Sequence, residues 1–216
     1  ELRLNEAADY CGILLAAGRS RRFGADKLLH PLPDNTPIAL ASARTLRAVL
    51  PRVLVVVQAD NTALSALLAR GGFRVRGLTS DGMGDSLAAG IAAAADARGW
   101  IVALADMPFI RADSIAAVLS LLAGGAPLAA PSYRGQRGHP VGFDRQHAPD
   151  LLRLRGDHTK MRMHGAEHVA RRDRTRATRG GNIRRQPMVL AKPTENLLDR
   201  RAGHMIVPNR VAELLE

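Results

Sequence analysis

Between Leu15 and Lys27 the chain reads Leu-Ala-Ala-Gly-Arg-Ser-Arg-Arg-Phe-Gly-Ala-Asp-Lys, which puts Arg19, Arg21, Arg22 and Lys27 within nine residues. Cations packed this closely repel one another unless an anion sits among them. Gly18 and Gly24 suit left-handed backbone and close approach, and the backbone N–H groups of such a loop cradle phosphate oxygens. The spacing matches neither the G-x-x-x-x-G-K-[ST] phosphate loop nor the G-x-G-x-x-G dinucleotide turn. The stretch therefore reads as an anion loop, with a merely solvated turn as the alternative. Other groups are more ambiguous. Asp106 is a hard oxygen donor suited to Mg²⁺, or a helix N-cap or loop carboxylate. Ser86, close after Gly82 and Gly84, reads on its own as an N-cap. His139, a lone histidine, reads on its own as an ordinary loop hydrogen-bonder. His158, His164, His168 and His204 lack the spacing of a zinc site.

The surrounding elements explain how these residues meet. Residues 10–15 read as a strand feeding the loop 16–27. A helix is expected over 37–50, with Pro37 suited to its first turn. The continuous apolar run 53–57 marks a strand buried on both faces. There follow a helix over 61–70 stopped by Gly71-Gly72, a short strand at 73–76, a helix over 84–97 and a fully apolar strand at 100–104. A helix over 111–123 ends at Gly124-Gly125. Residues 126–131 read as a strand and 132–143 as a hairpin or loop. Alternating strands and helices predict an α/β fold, three layers with a mainly parallel central sheet. Ligands of such sheets bind beyond the carboxyl ends of the strands. Segments 16–27, 82–90 and 106–108 all fall at such ends.

Composition narrows the field. The 216 residues are 46% hydrophobic and 24% charged, a globular balance, but only 3% aromatic, so Ala, Leu and Val must build the core. No apolar run reaches a membrane span, and the single cysteine, Cys11, excludes an internal disulfide. The polar opening after Glu1 is unlike a signal peptide, and a cytoplasmic location is expected. The net charge of +11 favours anionic partners. Of the 31 Lys and Arg and 20 Asp and Glu, 15 and 7 lie from Leu151 onward, so most of the excess is there. Aromatic stacking residues are nearly absent from that basic segment, which argues against nucleic acid as its partner.

The set Ala17-Gly18-x-Ser20-x-Arg22-x-Gly24-x-x-Lys27, Gly82-Met83-Gly84-Asp85-Ser86-Leu87-Ala88-Ala89-Gly90, Ala105-Asp106-Met107-Pro108 and Gly138-His139-Pro140-Val141 resembles, in order and spacing, the MobA-like nucleotidyltransferases. Its Ala-Ala-Gly opening and Gly-His-Pro are most similar to the molybdenum cofactor cytidylyltransferases. The resemblance covers roughly 10–155 and implies a Rossmann-like nucleotide-binding sheet. It also implies condensation of CTP with molybdopterin, release of pyrophosphate, Mg²⁺ as cofactor, and a molybdoenzyme that receives the product. By the same resemblance, Leu15, Ala16, Ala17, Gly18, Arg19, Ser20, Gly24, Lys27, Gly82 and Ser86 hold the nucleotide. Arg22 and Lys27 offset the charge of the departing pyrophosphate, Asp106 binds the metal, and His139 and Pro140 lie at the acceptor. GTP, another phosphorylated acceptor, or nucleotide binding without catalysis are the alternatives.

The resemblance weakens beyond Gly156, so residues 1–156 are expected to form the transferase domain and 157–216 a divergent, poorly ordered basic segment. Gly156-Asp157 begins a family segment that His158-Thr159-Lys160 then abandons. Near the expected final motif, with its second acidic ligand, stand Leu190, Lys192 and Glu195. Protonated Lys192 cannot coordinate a metal. Motif loss together with a rise in arginine is what a shift of reading frame near codon 157 of a GC-rich gene would produce.

Overall fold

Strand β1 (Tyr10–Ala16) is buried at all seven positions, because it lies at the centre of a sheet covered on both faces. The structure, a computed structural model, describes residues 4–18, 26–80, 82–133, 136–156 and 204–206. A short helix α1 (Leu4–Ala8) leads into β1. Then come α2 (Ile38–Arg47), β2 (Val53–Gln58), α3 (Thr62–Arg70), β3 (Arg74–Leu78), α4 (Met83–Ala93), β4 (Gly99–Leu104) and α5 (Ala112–Ala123). Strands β5 (Leu128–Tyr133), β6 (Gln136–Arg137) and β7 (Val141–Asp144), helix α6 (Ala148–Leu151) and strand β8 (His204–Ile206) complete the described elements.

The strand order is β3-β2-β1-β4-β7-β5-β6, and β8 pairs with β5. Strands β3, β2, β1 and β4 are mutually parallel. Strand β7 inserts between β4 and β5, antiparallel to both. The chain is thus α/β with a mostly parallel Rossmann-like sheet, as its alternation of elements predicts. Side chains alternate across a strand, and β1 accordingly feeds two cores. Tyr10, Leu14 and Ala16 pack on one face with Leu46, Leu64, Leu68 and Val118. Cys11, Ile13 and Leu15 pack on the other with Leu87, Ile91, Trp100 and Leu151.

The structure moves one boundary and fills in two segments. Helix α4 stops at Ala93, not at residue 97, and the indole Nε1 of Trp100 donates to the freed carbonyl of Ala94 at 2.9 Å. Within 132–143, expected as a hairpin or loop, Gln136–Arg137 pairs back on β5 as a hairpin and Val141 opens β7. Residues 204–206, within the segment 157–216, pair antiparallel with β5.

Gly99 shows how tight the β4–β7 junction is. A Cβ there would stand 2.7 Å from the Phe143 carbonyl oxygen and 2.9 Å from Tyr10 Cε1. The first neighbour is backbone and cannot rotate away. Gly99→Ala is expected to lower stability by ~1–3 kcal/mol, the usual range for overpacking. An unchanged urea midpoint would contradict this.

Candidate functional site

Strands β1 and β4 lie side by side, with Leu15 opposite Leu104. Their carboxyl ends therefore emerge together. The Ala105 N–H donates to the Leu15 carbonyl at 3.0 Å, and the Ser42 hydroxyl donates to the Ala105 carbonyl at 2.9 Å. These contacts hold Asp106 as an exposed carboxylate beside the exit of β1. It does not cap a helix, since α5 begins six residues later with Arg111 in the N-cap position.

Lys27 arrives from the far end of the loop. Asp26 caps the single turn Lys27–Leu29, accepting from the Leu28 N–H, and also accepts from the Asn61 side chain at the head of α3. Asn61 in turn caps α3 through its amide oxygen, which accepts from the Leu64 N–H at 3.1 Å. So anchored, Lys27 Nζ stands 3.3 Å from Asp106 Oδ2, across 79 residues of sequence. The two side chains are 37% and 47% exposed. Ion pairs this open contribute about 0–1 kcal/mol to stability. Their value is the juxtaposition of a cation and a hard oxygen donor in one crevice.

The second wall comes from the β3–α4 connection. Gly82 precedes α4 in extended backbone, and the helix has no side-chain cap. Ser86 is therefore not the N-cap. It is 3% exposed, and its hydroxyl is engaged with Gly82 O at 3.2 Å and Ser80 Oγ at 3.0 Å. Its hydroxyl shapes the segment from inside. Leu15, Ala16 and Ala17 are buried as well, so what they turn toward a ligand is backbone. Gly18 does not use left-handed backbone, contrary to expectation; a Cβ there would meet nothing within 4 Å among the described residues.

His139 and Pro140 precede β7, joined by a cis peptide bond. Pro140 is buried. His139 Nδ1 is buried with no hydrogen-bond partner among the described residues. Burial, reinforced by Arg137, holds the imidazole below its usual range, against an opposing pull from Asp106 and a hydrogen bond to the Val102 backbone. His139 thus faces the same end of the sheet as Asp106. Arg19, Ser20, Arg22 and Gly24 lie outside the described residues, as do Lys192 and Glu195.

Among the described residues no three His, Cys, Asp or Glu converge as a metal cage. A lone exposed carboxylate still fits Mg²⁺, which keeps several waters and is bound by one or two carboxylates together with substrate phosphates. Asp85, in the first turn of α4, accepts from the Gly156 N–H at 3.0 Å, and Asp81, next to Gly82, lies outside the described residues. Gln58 and Ser80, buried between the walls, carried no signal in the sequence beyond a single glutamine closing a run of valines.

A family model described as the MobA-like NTP transferase domain matches residues 12–174. The purine catabolism protein PucB of Bacillus subtilis is 30% identical over 70% of this chain and 78% of its own length. The crystal structure of Rv0371c from Mycobacterium tuberculosis superposes with a TM-score of 0.63 at 27% identity, covering 68% of this chain and 78% of that one. A manganese complex of Rv0371c gives a TM-score of 0.61 at 24% identity, covering 71% and 80%. Among the described residues, no helix is long and apolar enough to cross a membrane.

The buried imidazole has a consequence for stability. Its folded pKa lies below that of an exposed histidine, so the unfolded chain binds a proton first as pH falls below about 6.5. Stability is therefore lost on acidification through that pH. His139→Gln is expected to flatten the loss between about pH 7 and 5, and equal slopes for the two proteins in urea unfolding would contradict it.

Proposed function

The chain belongs to the MobA-like NTP transferase family, and from that premise we propose that it transfers the cytidylyl group of CTP to the phosphate of molybdopterin. One observation carries the reading. Lys27, from the first motif, and Asp106, from the third, meet at 3.3 Å at the carboxyl end of a parallel sheet. CTP and the molybdopterin acceptor are supported by the Ala16-Ala17-Gly18 and Gly138-His139-Pro140 segments. Mg²⁺ as the ion is supported by the exposed Asp106 carboxylate, and a divalent ion in general by the manganese bound to the mycobacterial relative.

The reaction balances simply. An oxygen of the acceptor phosphate attacks the α-phosphorus and forms the new P–O bond. The bond from the α-phosphorus to the bridging oxygen breaks, and pyrophosphate leaves with the electron pair. The attacking phosphate is already ionised near pH 7, so no general base is required. Catalysis then consists of positioning and charge stabilisation. Lys27 supplies fixed positive charge where the leaving group gains negative charge, with Arg22 in the same role. A bound divalent ion supplies Lewis-acid neutralisation of the triphosphate, and Asp106 is the carboxylate to hold it. The main chain of Ala16 to Gly18 and of Gly82 cradles the nucleotide. His139, kept neutral by burial, orients the acceptor instead of removing a proton. A molybdoenzyme would receive the product. The name of the Bacillus subtilis relative favours a second reading, in which the same transfer serves purine catabolism through another phosphorylated acceptor.

Pyrophosphate release from CTP, GTP, ATP and UTP, each with molybdopterin, tests the proposal; a preference for any base but cytosine would overturn its nucleotide. Lys27→Ala is expected to lower turnover by about 10²-fold or more, as loss of one transition-state charge contact does elsewhere. Wild-type rates would remove Lys27 from the mechanism. Asp106→Asn, nearly isosteric and exposed, is expected to leave the melting temperature unchanged and to raise the Mg²⁺ concentration required for CTP binding. Unchanged Mg²⁺ dependence would overturn the metal assignment.

A further inference from the structure

Gln58 is the last residue of β2, after five consecutive Val and Leu residues, and is 7% exposed. A primary amide buried this deeply is costly unless its donors and acceptor are matched. Here they are. Its Nε2 donates to the Ala17 carbonyl at 2.8 Å and to the Ser80 carbonyl at 2.9 Å, while its Oε1 accepts from the Ser80 N–H at 3.4 Å.

The topology explains the reach. Strand β2 lies between β1 and β3, with Val57 opposite Ala16 and Gln58 opposite Leu78. Just past these pairs, the chains leaving β1 and β3 part company and the backbone ladder ends. The Gln58 side chain continues it by one rung on each side. Ser80 passes the constraint on: its hydroxyl donates to the Gly82 carbonyl at 2.6 Å, accepts from the Gly82 N–H at 3.3 Å, and lies 3.0 Å from Ser86 Oγ. One buried amide therefore sets the separation of Ala17 from Gly82.

We propose that Gln58 is a positioning residue that holds the two nucleotide-binding loops, 16–18 and 80–86, at a fixed spacing before the nucleotide arrives. The proposal rests on the transferase reading given above and deepens it. Without the amide, the Ala17 and Ser80 carbonyls and the Ser80 N–H lose their shared partner, and the loops must be ordered by the ligand itself. That cost falls equally on ground state and transition state, so it raises KM for nucleotide and leaves kcat nearly unchanged. Lys27 and Asp106 are anchored separately, through Asp26 with Asn61 and through Ala105 with Ser42, so the reacting centre stays assembled.

The test uses the full chain with Gln58→Met, which keeps length and volume but has no N–H donor. Gln58→Glu, which replaces the amide donor by a carboxylate, is the second variant. Val57→Ala removes packing one residue earlier on the same strand, beside Ala16, but leaves the backbone pairing and all three Gln58 hydrogen bonds in place. Expected is a rise of about tenfold or more in KM for CTP in both Gln58 variants, the scale of one stranded buried hydrogen bond, with kcat within about threefold of wild type. Val57→Ala should keep the wild-type KM despite its lower melting temperature. A wild-type KM in both Gln58 variants, or an equal rise in Val57→Ala, overturns the proposal. Amide hydrogen exchange without ligand reads the same arrangement independently of activity. Exchange at 16–18 and 80–86 should quicken in Gln58→Met and not in Val57→Ala; unchanged exchange there overturns the proposal. Absence of turnover in the wild type would sink the transferase reading alone, and the exchange measurement would still decide the role of Gln58.

Discussion

Strand β1 has water on neither face, and that constraint arranges everything else. A strand buried on both sides must be apolar throughout and must be covered by crossover helices. The helices packed on it, α2 and α4, return the chain to the same edge each time, so β1, β2, β3 and β4 all point one way. Their carboxyl ends then deliver the loop after β1, Ser80 and Gly82 after β3, and Asp106 after β4 to one crevice. The described interior of the sheet is largely apolar, with Tyr10, Cys11, Gln58 and Ser132 as its polar exceptions. The chemistry is confined to where the ladder stops.

At that edge two kinds of polar contact divide the work. Exposed charges face the crevice: Lys27 and Asp106 contribute little to folding because water screens them. They are free to exchange one partner for another when a ligand and its ion arrive. Buried neutral groups lie beneath them. Gln58, Ser80 and Ser86 are each less than a tenth exposed, and their hydrogen bonds join loop to loop. Buried, mutually satisfied networks of this kind rigidify a structure far more than exposed ion pairs do. The crevice thus has a soft electrostatic surface on a stiff neutral frame.

This division also explains what was legible in the sequence. The buried strands β1, β2 and β4 announce themselves as unbroken apolar runs, and the motif residues Lys27 and Asp106 by type and spacing. The antiparallel insertion of β7 was not legible, because partners such as Val102 and Val141 are distant in sequence and no local pattern encodes who pairs with whom. The end of α4 was missed because its determinant, the Trp100 indole, lies seven residues beyond the helix. Gln58 was missed for a related reason. A polar residue at the tail of a valine run reads as a strand emerging into water, whereas this one turns inward to carbonyls brought there by two other strands.

The same geometry decides which carboxylate is left for a metal. Asp85 and Asp106 both sit near the carboxyl edge of the sheet, on the second and third motif segments. Asp85 is bound to the Gly156 N–H, and the Gly84 N–H donates to the Gly156 carbonyl at 2.9 Å. Gly84 has no room to give: a Cβ there would lie 2.9 Å from that carbonyl and 3.1 Å from the Arg155 nitrogen. The chain after Leu154 is thereby clamped onto the first turn of α4, and Asp85 is part of the clamp. Releasing Asp85 to a cation would leave the Gly156 N–H stranded and loosen the wall that carries Gly82. Asp106 has no such duty. Its backbone is held by Ala105 and Ser42, its side chain faces Lys27 at 3.3 Å, and it can change partners without disturbing any element of the fold.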